Sequence, residues 1–159
     1  MAESDNPSLE RSRAEAIRWG ILAGGAVVVL FAVLYFTNKA MVLNRGLWLG
    51  STLFYIFGMW QAQKQVESDE LKDHIQPGFV VFIIANALFY VYYYFLFGVF
   101  DPELVQMQAN LLTEGGQEAA KAPLPTIGKT FTAYMQSLIF GFAIAGAIAL
   151  VRTKVLNRD

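Results

Sequence analysis

The sequence predicts an all-α, polytopic membrane protein. We expect one domain over residues 1–159, with four transmembrane helices and a short amphipathic outer helix between spans three and four. Hydrophobic residues make up 55% of the 159-residue chain and charged residues only 16%, well below the ~25% of an ordinary soluble domain. The charges are also clustered, which leaves four long windows without any. The balance of 12 Lys+Arg against 13 Asp+Glu argues against a nucleic-acid-binding protein.

Each charge-free window is long enough to form a transmembrane helix. A helix rises ~1.5 Å per residue, and the ~30 Å hydrocarbon core of a bilayer needs ~20 residues. Because lipid cannot satisfy backbone N–H and C=O groups, the spans should be helices rather than strands. With their flanking residues, the four predicted spans are 17–38, 42–63, 77–100 and 130–151.

The second span is the weakest of the four. Its charge-free stretch, residues 46–63, has 18 residues and includes Gln61 and Gln63. We expect this span to gain length from Met41–Asn44, with the Arg45 side chain reaching to the lipid headgroups. Tryptophans near both of its ends are typical of interfacial depth.

The distribution of Lys and Arg predicts the orientation. Four spans place both termini and the middle loop on one side, which carries eight Lys and Arg residues against four on the other side. Since cytoplasmic segments carry the excess of these residues, both termini are predicted to be cytoplasmic. The charged middle loop, Gln61–Gln76, is either a solvated turn or a docking surface for a cytoplasmic partner. The single histidine, His74, is expected in this loop and not as a metal ligand, because the chain offers no second imidazole or thiol.

The largest segment outside the spans is the outer-side segment 101–129. Asp101-Pro102-Glu103 is typical of a helix start, with a capping side chain, a proline in the first turn and an acid near the positive end of the helix dipole. Apolar residues then recur at helical spacing, and Gly115-Gly116 should end the helix. This amphipathic helix is either an interfacial connector or a lid or partner-binding element.

Small residues at four-residue spacing mark the predicted packing faces, because helices in lipid associate through close backbone approach. Such pairs occur on spans one and two, and span four carries an unbroken stripe. The residues are Gly20 and Gly24, Gly46 and Gly50, and Ser137, Gly141, Ala145 and Ala149. They predict either tight packing within the bundle or a seam with a second copy or another membrane protein.

Span three has a polar and aromatic face. Asn86, Tyr90 and Tyr93 recur at helical spacing, with Tyr94 alongside. Asn86 is close to the middle of the span, where a carboxamide must find a hydrogen-bond partner. One interpretation is an interhelical bond to a polar side chain of a neighbouring span, from among Gln136, Ser137, Ser51 and Thr52. The other is a groove in which the four residues of this face bind an amphiphile, such as a lipid or isoprenoid headgroup.

Residue types needed for catalysis or ion transport are missing from the spans. They contain no Asp, Glu, Lys, Arg or His apart from Arg18 and Arg45 near the span edges, whereas proton relays and coupled carriers need ionisable groups at membrane depth. The chain has no HExxH, GxSxG or phosphate-binding loop, and no cysteine. We therefore expect neither enzymatic activity nor a cofactor or bound metal.

Three stretches carry a resemblance to known proteins. They are Ser68-Asp-Glu-Leu through Gly78-Phe79, the corner Phe100-Asp101-Pro102-Glu103-Leu104, and the last span from Leu138-Ile-Phe-Gly141 to Arg152 and Lys154. In these stretches, and over about residues 15–157, the chain resembles a family of small four-span bacterial inner-membrane proteins known only as a domain of unknown function. The resemblance implies the bacterial inner membrane as location. It also implies an accessory role in handling polyprenyl-linked sugars, and no catalytic residue.

The sequence thus supports two functions. The first is a non-catalytic scaffold or accessory subunit that packs against another membrane protein or a second copy, and the small-residue seams motivate it. The alternative is a lipid- or polyprenyl-sugar-handling, flippase-like protein that uses the face of Asn86, Tyr90 and Tyr93. The lipid bilayer is the one partner that the composition itself requires.

Overall fold

The computed structural model describes residues 7–66, 68, 70–114 and 124–156, and every regular element within these ranges is helical. The helices are α1 (Pro7–Thr37), α2 (Lys39–Val42), α3 (Arg45–Gln63), α4 (Leu71–Phe95), α5 (Glu103–Glu114) and α6 (Ile127–Leu156). A single π-helical turn, Leu96–Phe100, continues α4. The predicted all-α class is confirmed for these residues, whereas the predicted helix end at Gly115-Gly116 lies outside them.

Three helices are long and apolar enough to cross a membrane. They are the segments Glu10–Thr37 of α1, Leu71–Phe100 of α4 with its π turn, and Ile127–Lys154 of α6. These segments correspond to the first, third and fourth predicted spans. Large apolar side chains also cover the outside of the bundle, with Phe36 85% and Ile139 72% exposed. Apolar surface on this scale is favourable in contact with hydrocarbon, so the fold is that of a membrane protein.

The third helix, α3, is shorter, with 19 residues, and it is not one of these three segments. The predicted extension of this helix into Met41–Asn44 is wrong, because Met41 and Val42 belong to the separate helix α2. The Asn44 side chain then caps α3 by accepting hydrogen bonds from the N–H groups of Gly46 (2.8 Å) and Leu47 (3.2 Å). This N-cap fixes the start of α3 at Arg45.

Helix α4 lies at the centre of the bundle. α1, α3 and α6 all pack against it, and α3 also contacts α1 and α6. The core consists of buried aliphatic and aromatic side chains from these helices, among them Val27, Phe31, Met59, Phe82 and Phe89. One side of α4 therefore faces α1 and α3, and the other side faces α6.

The small residues of α1 and α6 lie where these helices approach α4. A Cβ atom added at Gly24 would lie 2.7 Å from the Cα of Ala85, so the two backbones are in direct contact. Gly20, one turn earlier, is also buried against α4. On the other side of α4, the ring of Phe82 fills the space that a side chain at Gly141 would need. Close backbone approach thus positions α1 against α4, whereas the glycine of α6 makes room for an aromatic ring of α4.

The remaining small residues divide into two groups. Ala145 and Ala149 of α6 are fully buried. Gly46 and Gly50 of α3 are exposed, and a Cβ at Gly50 would meet no atom within 4 Å. The nearest atom at Gly46 belongs to the capping residue Asn44. The glycine pair of α3 therefore makes no helix contact within the described part of the chain.

At the end of the bundle that carries α5, an ion pair joins three elements. Lys39 of α2 pairs with the buried Asp101, and the Tyr35 hydroxyl of α1 donates to the same carboxylate oxygen (2.9 Å). The Asp101 N–H donates to the Leu96 carbonyl (2.8 Å), and the Asp101 carbonyl accepts the Leu104 N–H (3.1 Å) at the start of α5. The predicted helix start at Asp101 is therefore confirmed, and this residue also connects α5 to α1 and α2.

At the opposite end, the connection between α3 and α4 differs from the prediction. α4 begins at Leu71, so His74 is helical and fully buried, and its Nε2 donates to the Ser68 carbonyl (2.7 Å). The fully buried Gln63 donates from Nε2 to the Ala145 carbonyl of α6 (3.0 Å). The prediction that His74 lies in the loop Gln61–Gln76 is therefore wrong, because this residue belongs to α4 and its side chain closes the turn between α3 and α4.

Candidate functional site

A groove of about 390 Å³ lies between α4 and α6, in the half of the bundle nearer to α5. Its walls include Ala87, Tyr90 and Tyr94 of α4 and Ile127, Thr130 and Tyr134 of α6. The surface of these walls is almost entirely carbon, and exposed side chains at the rim leave the groove open toward the surroundings of the bundle. Small-molecule sites typically occupy ~300–1,000 Å³, so this groove is at the lower end of that range.

The groove contains two of the four residues predicted for an amphiphile site. Tyr90 and Tyr94 line it, one helical turn apart. Tyr93 instead packs against Phe97, with ring centroids 4.6 Å apart, and approaches Trp48 of α3 at 6.0 Å. Successive helical residues are rotated by about 100°, so Tyr93 and Tyr94 point into different interfaces of the central helix. Of the predicted face, Tyr90 and Tyr94 therefore line the groove, whereas Tyr93 packs inside the bundle.

The fourth of these residues, Asn86, takes part in packing. Its Nδ2 donates to the Ser137 Oγ of α6 (2.6 Å), which confirms the predicted interhelical hydrogen bond. The Ser137 hydroxyl in turn donates to the Tyr134 carbonyl, and the Tyr134 hydroxyl donates to the Ile83 carbonyl (3.3 Å). Hydrogen bonds between membrane helices average ~0.6 kcal/mol each. This network holds α4 and α6 together beside the groove, so that the groove has a fixed wall.

Thr130 lines the groove, while its hydroxyl is buried beneath the surface of the wall. The residue is only 8% exposed, and its Oγ1 has no hydrogen-bond partner among the described residues. Threonines in helices commonly satisfy this group with a carbonyl of the preceding turn. Thr132, two residues later, does so by donating to the Gly128 carbonyl (2.9 Å). An unsatisfied buried hydroxyl is costly, but that of Thr130 is covered by the surrounding atoms and leaves the surface of the groove apolar.

Comparison with known proteins gives one match. The family model "Protein of unknown function (DUF4199)" matches residues 18–154. The chain belongs to the DUF4199 family. The predicted resemblance to a domain of unknown function is therefore confirmed, and the matched region of this DUF4199 protein includes every residue that lines the groove. No curated protein and no solved structure matches the chain.

The α6 wall of the groove was not predicted from the DUF4199 sequence. Thr130 opens the predicted fourth span, and Tyr134 lies one turn later, but neither was assigned a role. A usable signal was present, because Thr130, Tyr134 and Ser137 follow helical spacing and form a polar stripe on an apolar helix. Within the described residues, no group of three His, Cys, Asp or Glu side chains could hold a metal ion.

Proposed function

We propose that this DUF4199 protein is a non-catalytic membrane protein that binds the hydrocarbon chain of a membrane lipid in the groove between α4 and α6. The groove itself carries the proposal, because it is lined by carbon and open at the side. Tyr90, Tyr94 and Tyr134 supply flat and rigid walls, which lose little conformational entropy when a ligand binds. A chain seated there would exchange contacts with mobile lipid for contacts with fixed side chains.

The proposal includes a topology of four spans. The 19 residues of α3 cover about 28 Å, which is close to the thickness of the hydrocarbon core. Exposed Leu49, Leu53 and Phe57 along α3 support a helix surrounded by lipid. Four spans place both termini together, and the excess of Lys and Arg on that side favours the cytoplasm of a bacterial cell with the protein in its inner membrane.

Helix α5 completes this topology as an amphipathic helix on the outer surface. Leu104 and Val105 are buried, whereas Glu103 and Asn110 are exposed. A helix with one buried apolar side and one polar side is stable at a membrane interface. The groove would then open into the outer leaflet, since it lies in the α5 half of the bundle.

Filling the groove tests this function. In Ala87→Leu, the larger side chain occupies part of the groove, and we expect the amount of co-purified lipid to fall about tenfold, the change that ~1.4 kcal/mol of lost binding produces. The measurement is native mass spectrometry of the protein released from mild detergent. Ala147→Leu is the matched control, because Ala147 lies on the exposed surface of α6 outside the groove. Equal lipid retention by wild type and both variants would refute the proposal.

Self-association is a second candidate function, and the exposed glycine pair of α3 favours it. Gly46 and Gly50 are separated by one turn, and neither contacts another helix within the described residues. Such a pair allows two copies of one helix to approach closely in lipid. The scaffold function would then consist of a dimer held through α3.

Blocking the glycine surface of α3 tests the dimer. Gly50→Ile places a branched side chain where close approach is needed, and we expect the dimer population in lipid vesicles to fall by about tenfold. Crosslinking or single-molecule photobleaching measures that population. Gly146→Ile is the control, since Gly146 of α6 also has no atom within 4 Å of an added Cβ. A chain that is monomeric before substitution, or a dimer that both variants weaken equally, would contradict a seam through α3.

A further inference from the structure

We infer that the C-terminal ends of α3 and α6 form a binding site for the phosphate group of an anionic phospholipid, with Arg152 as the anion-binding residue and Trp60 as its support. The site lies at the end of the bundle opposite α5, whereas the groove between α4 and α6 lies in the α5 half, so the inference goes beyond the proposed function. Three observations carry it: the stacking of Arg152, the donors that this residue offers, and the depth of both residues.

Trp60 holds the guanidinium group of Arg152 in place. The Cζ of Arg152 lies 5.2 Å from the ring centroid of Trp60, within the ~6 Å of a cation–π interaction. At the same end, the hydrogen bond from the Gln63 Nε2 to the Ala145 carbonyl (3.0 Å) joins α3 to α6. A stacked guanidinium between two joined helices loses less freedom on binding than a mobile side chain, which favours binding of a ligand.

The terminal nitrogens of Arg152 are the donors that a ligand would meet. The Nε is covered by neighbouring atoms, whereas the side chain keeps part of its surface exposed, so the accessible donors are the two Nη groups. Among the described residues, no carboxylate forms an ion pair with Arg152, and the ion pairs at this end of the bundle use Arg18 and Lys72 instead. The paired N–H groups of an arginine match the oxygens of a phosphate, so Arg152 suits this anion.

The depth of the two residues corresponds to the lipid headgroups. Arg152 lies two residues before the end of the apolar segment Ile127–Lys154, and Trp60 lies three residues before the end of α3. At this depth the phosphates of lipids are the anions that surround a membrane helix, and tryptophan and arginine commonly reach them. Lys64, one helical turn after Trp60, adds an exposed cation on the same side of α3. Two positive charges favour a lipid with a net negative charge over a zwitterionic one.

A competition between two phospholipids tests the inference. The full-length protein in mild detergent is mixed with equal amounts of phosphatidylglycerol and phosphatidylcholine with identical acyl chains, and bound lipid is measured by native mass spectrometry. Because the chains are identical, binding in the groove affects both lipids alike. We expect about a tenfold preference for phosphatidylglycerol, and a ratio near one in Arg152→Met, which removes the charge and keeps an unbranched side chain. An excess of inorganic phosphate should leave the preference unchanged, and its loss would overturn the assignment to a lipid.

Lys154→Met is the matched control for charge. It removes the same charge two residues later in α6, rotated by about 200° around the helix, and should keep most of the preference. Arg152→Lys keeps the charge without the paired N–H groups, and Trp60→Leu keeps the charge without the stacking, so each should weaken the preference severalfold. A wild type without preference, or an equal loss in Arg152→Met and Lys154→Met, overturns the inference. If Arg152→Met does not fold, Arg152→Lys and Trp60→Leu decide, and an unchanged preference in both overturns it.

Discussion

Gly24→Ala is expected to lower the free energy of unfolding by about 2–3 kcal/mol, the upper part of the range for overpacking a well-packed interface. The added Cβ would lie 2.7 Å from the Cα of Ala85 and 2.8 Å from its carbonyl oxygen. These are backbone atoms of α4, so no change of rotamer can relieve the contact. α1 must then move away from the central helix, and the buried side chains between them lose contact. Tryptophan fluorescence during a titration from mild to denaturing detergent measures the change.

The neighbouring residue provides the control for this substitution. Gly25 has no atom within 4 Å of an added Cβ, and alanine is favoured over glycine in a helix by ~1 kcal/mol. Gly25→Ala should therefore unfold at the same or a higher detergent concentration than the wild type. If the two alanine variants were equally destabilised, glycine at position 24 would matter for some reason other than the approach of α1 to α4.

The helices could be predicted from the charges because burying a charge in hydrocarbon is costly at any position along a span. Glu10–Thr37, Leu71–Phe100 and Ile127–Lys154 therefore each cover nearly all of one charge-free window and begin several residues before it. Helix ends within a few residues depend on local hydrogen bonds instead. The N-cap at Asn44 makes α3 shorter than predicted. The buried His74 belongs to α4, which therefore begins within the charged segment that was predicted to be a loop. Neither the Asn44 cap nor the hydrogen bond of His74 can be recognised from the hydropathy pattern.

The groove could be predicted only in part, because it depends on which helices are neighbours. Helical spacing places Tyr90, Tyr93 and Asn86 on one face of α4, but α4 is surrounded by α1, α3 and α6. In the packed bundle, Tyr93 contacts α3, Asn86 donates a hydrogen bond to α6, and Tyr90 lines the groove. Whether the Thr130 hydroxyl has a hydrogen-bond partner depends on the helices packed around it, so the sequence pattern of α6 alone could not predict it.

Asp101→Ala is expected to loosen the start of α5, which Leu104 and Val105 still hold in the core. The substitution removes the cap of α5, typically about 1 kcal/mol, together with the partner of Lys39 and the acceptor of the Tyr35 hydroxyl. Since Asp101 makes polar contacts with Lys39 and Tyr35 at the start of α5, its loss should act locally. Hydrogen exchange is the measurement, and we expect at least a roughly fivefold faster exchange of the amides of α5 with little change in α1 and α4. Glu103→Ala is the control, because Glu103 is an exposed acid in the first turn of the same helix.

The difference in α5 hydrogen exchange between the wild type and Asp101→Ala should depend on pH. This dependence distinguishes the contribution of the Lys39–Asp101 ion pair from that of the cap. The charge-assisted hydrogen bond from Lys39 holds the pKa of Asp101 below its usual range, and the same bond raises the pKa of Lys39 above its usual range. A lowered carboxyl pKa contributes stability that is present above the unfolded value of ~3.9 and is lost as the pH falls through the folded value. A raised lysine pKa contributes stability below ~10.4 that is lost as the pH rises through its folded value. Protection of α5 in the wild type should therefore be constant between these limits and fall toward that of Asp101→Ala below pH ~4. Protection that stayed unchanged through this acid range would show that the charge of Asp101 does not hold α5, because protonation removes the charge and leaves the side chain in place.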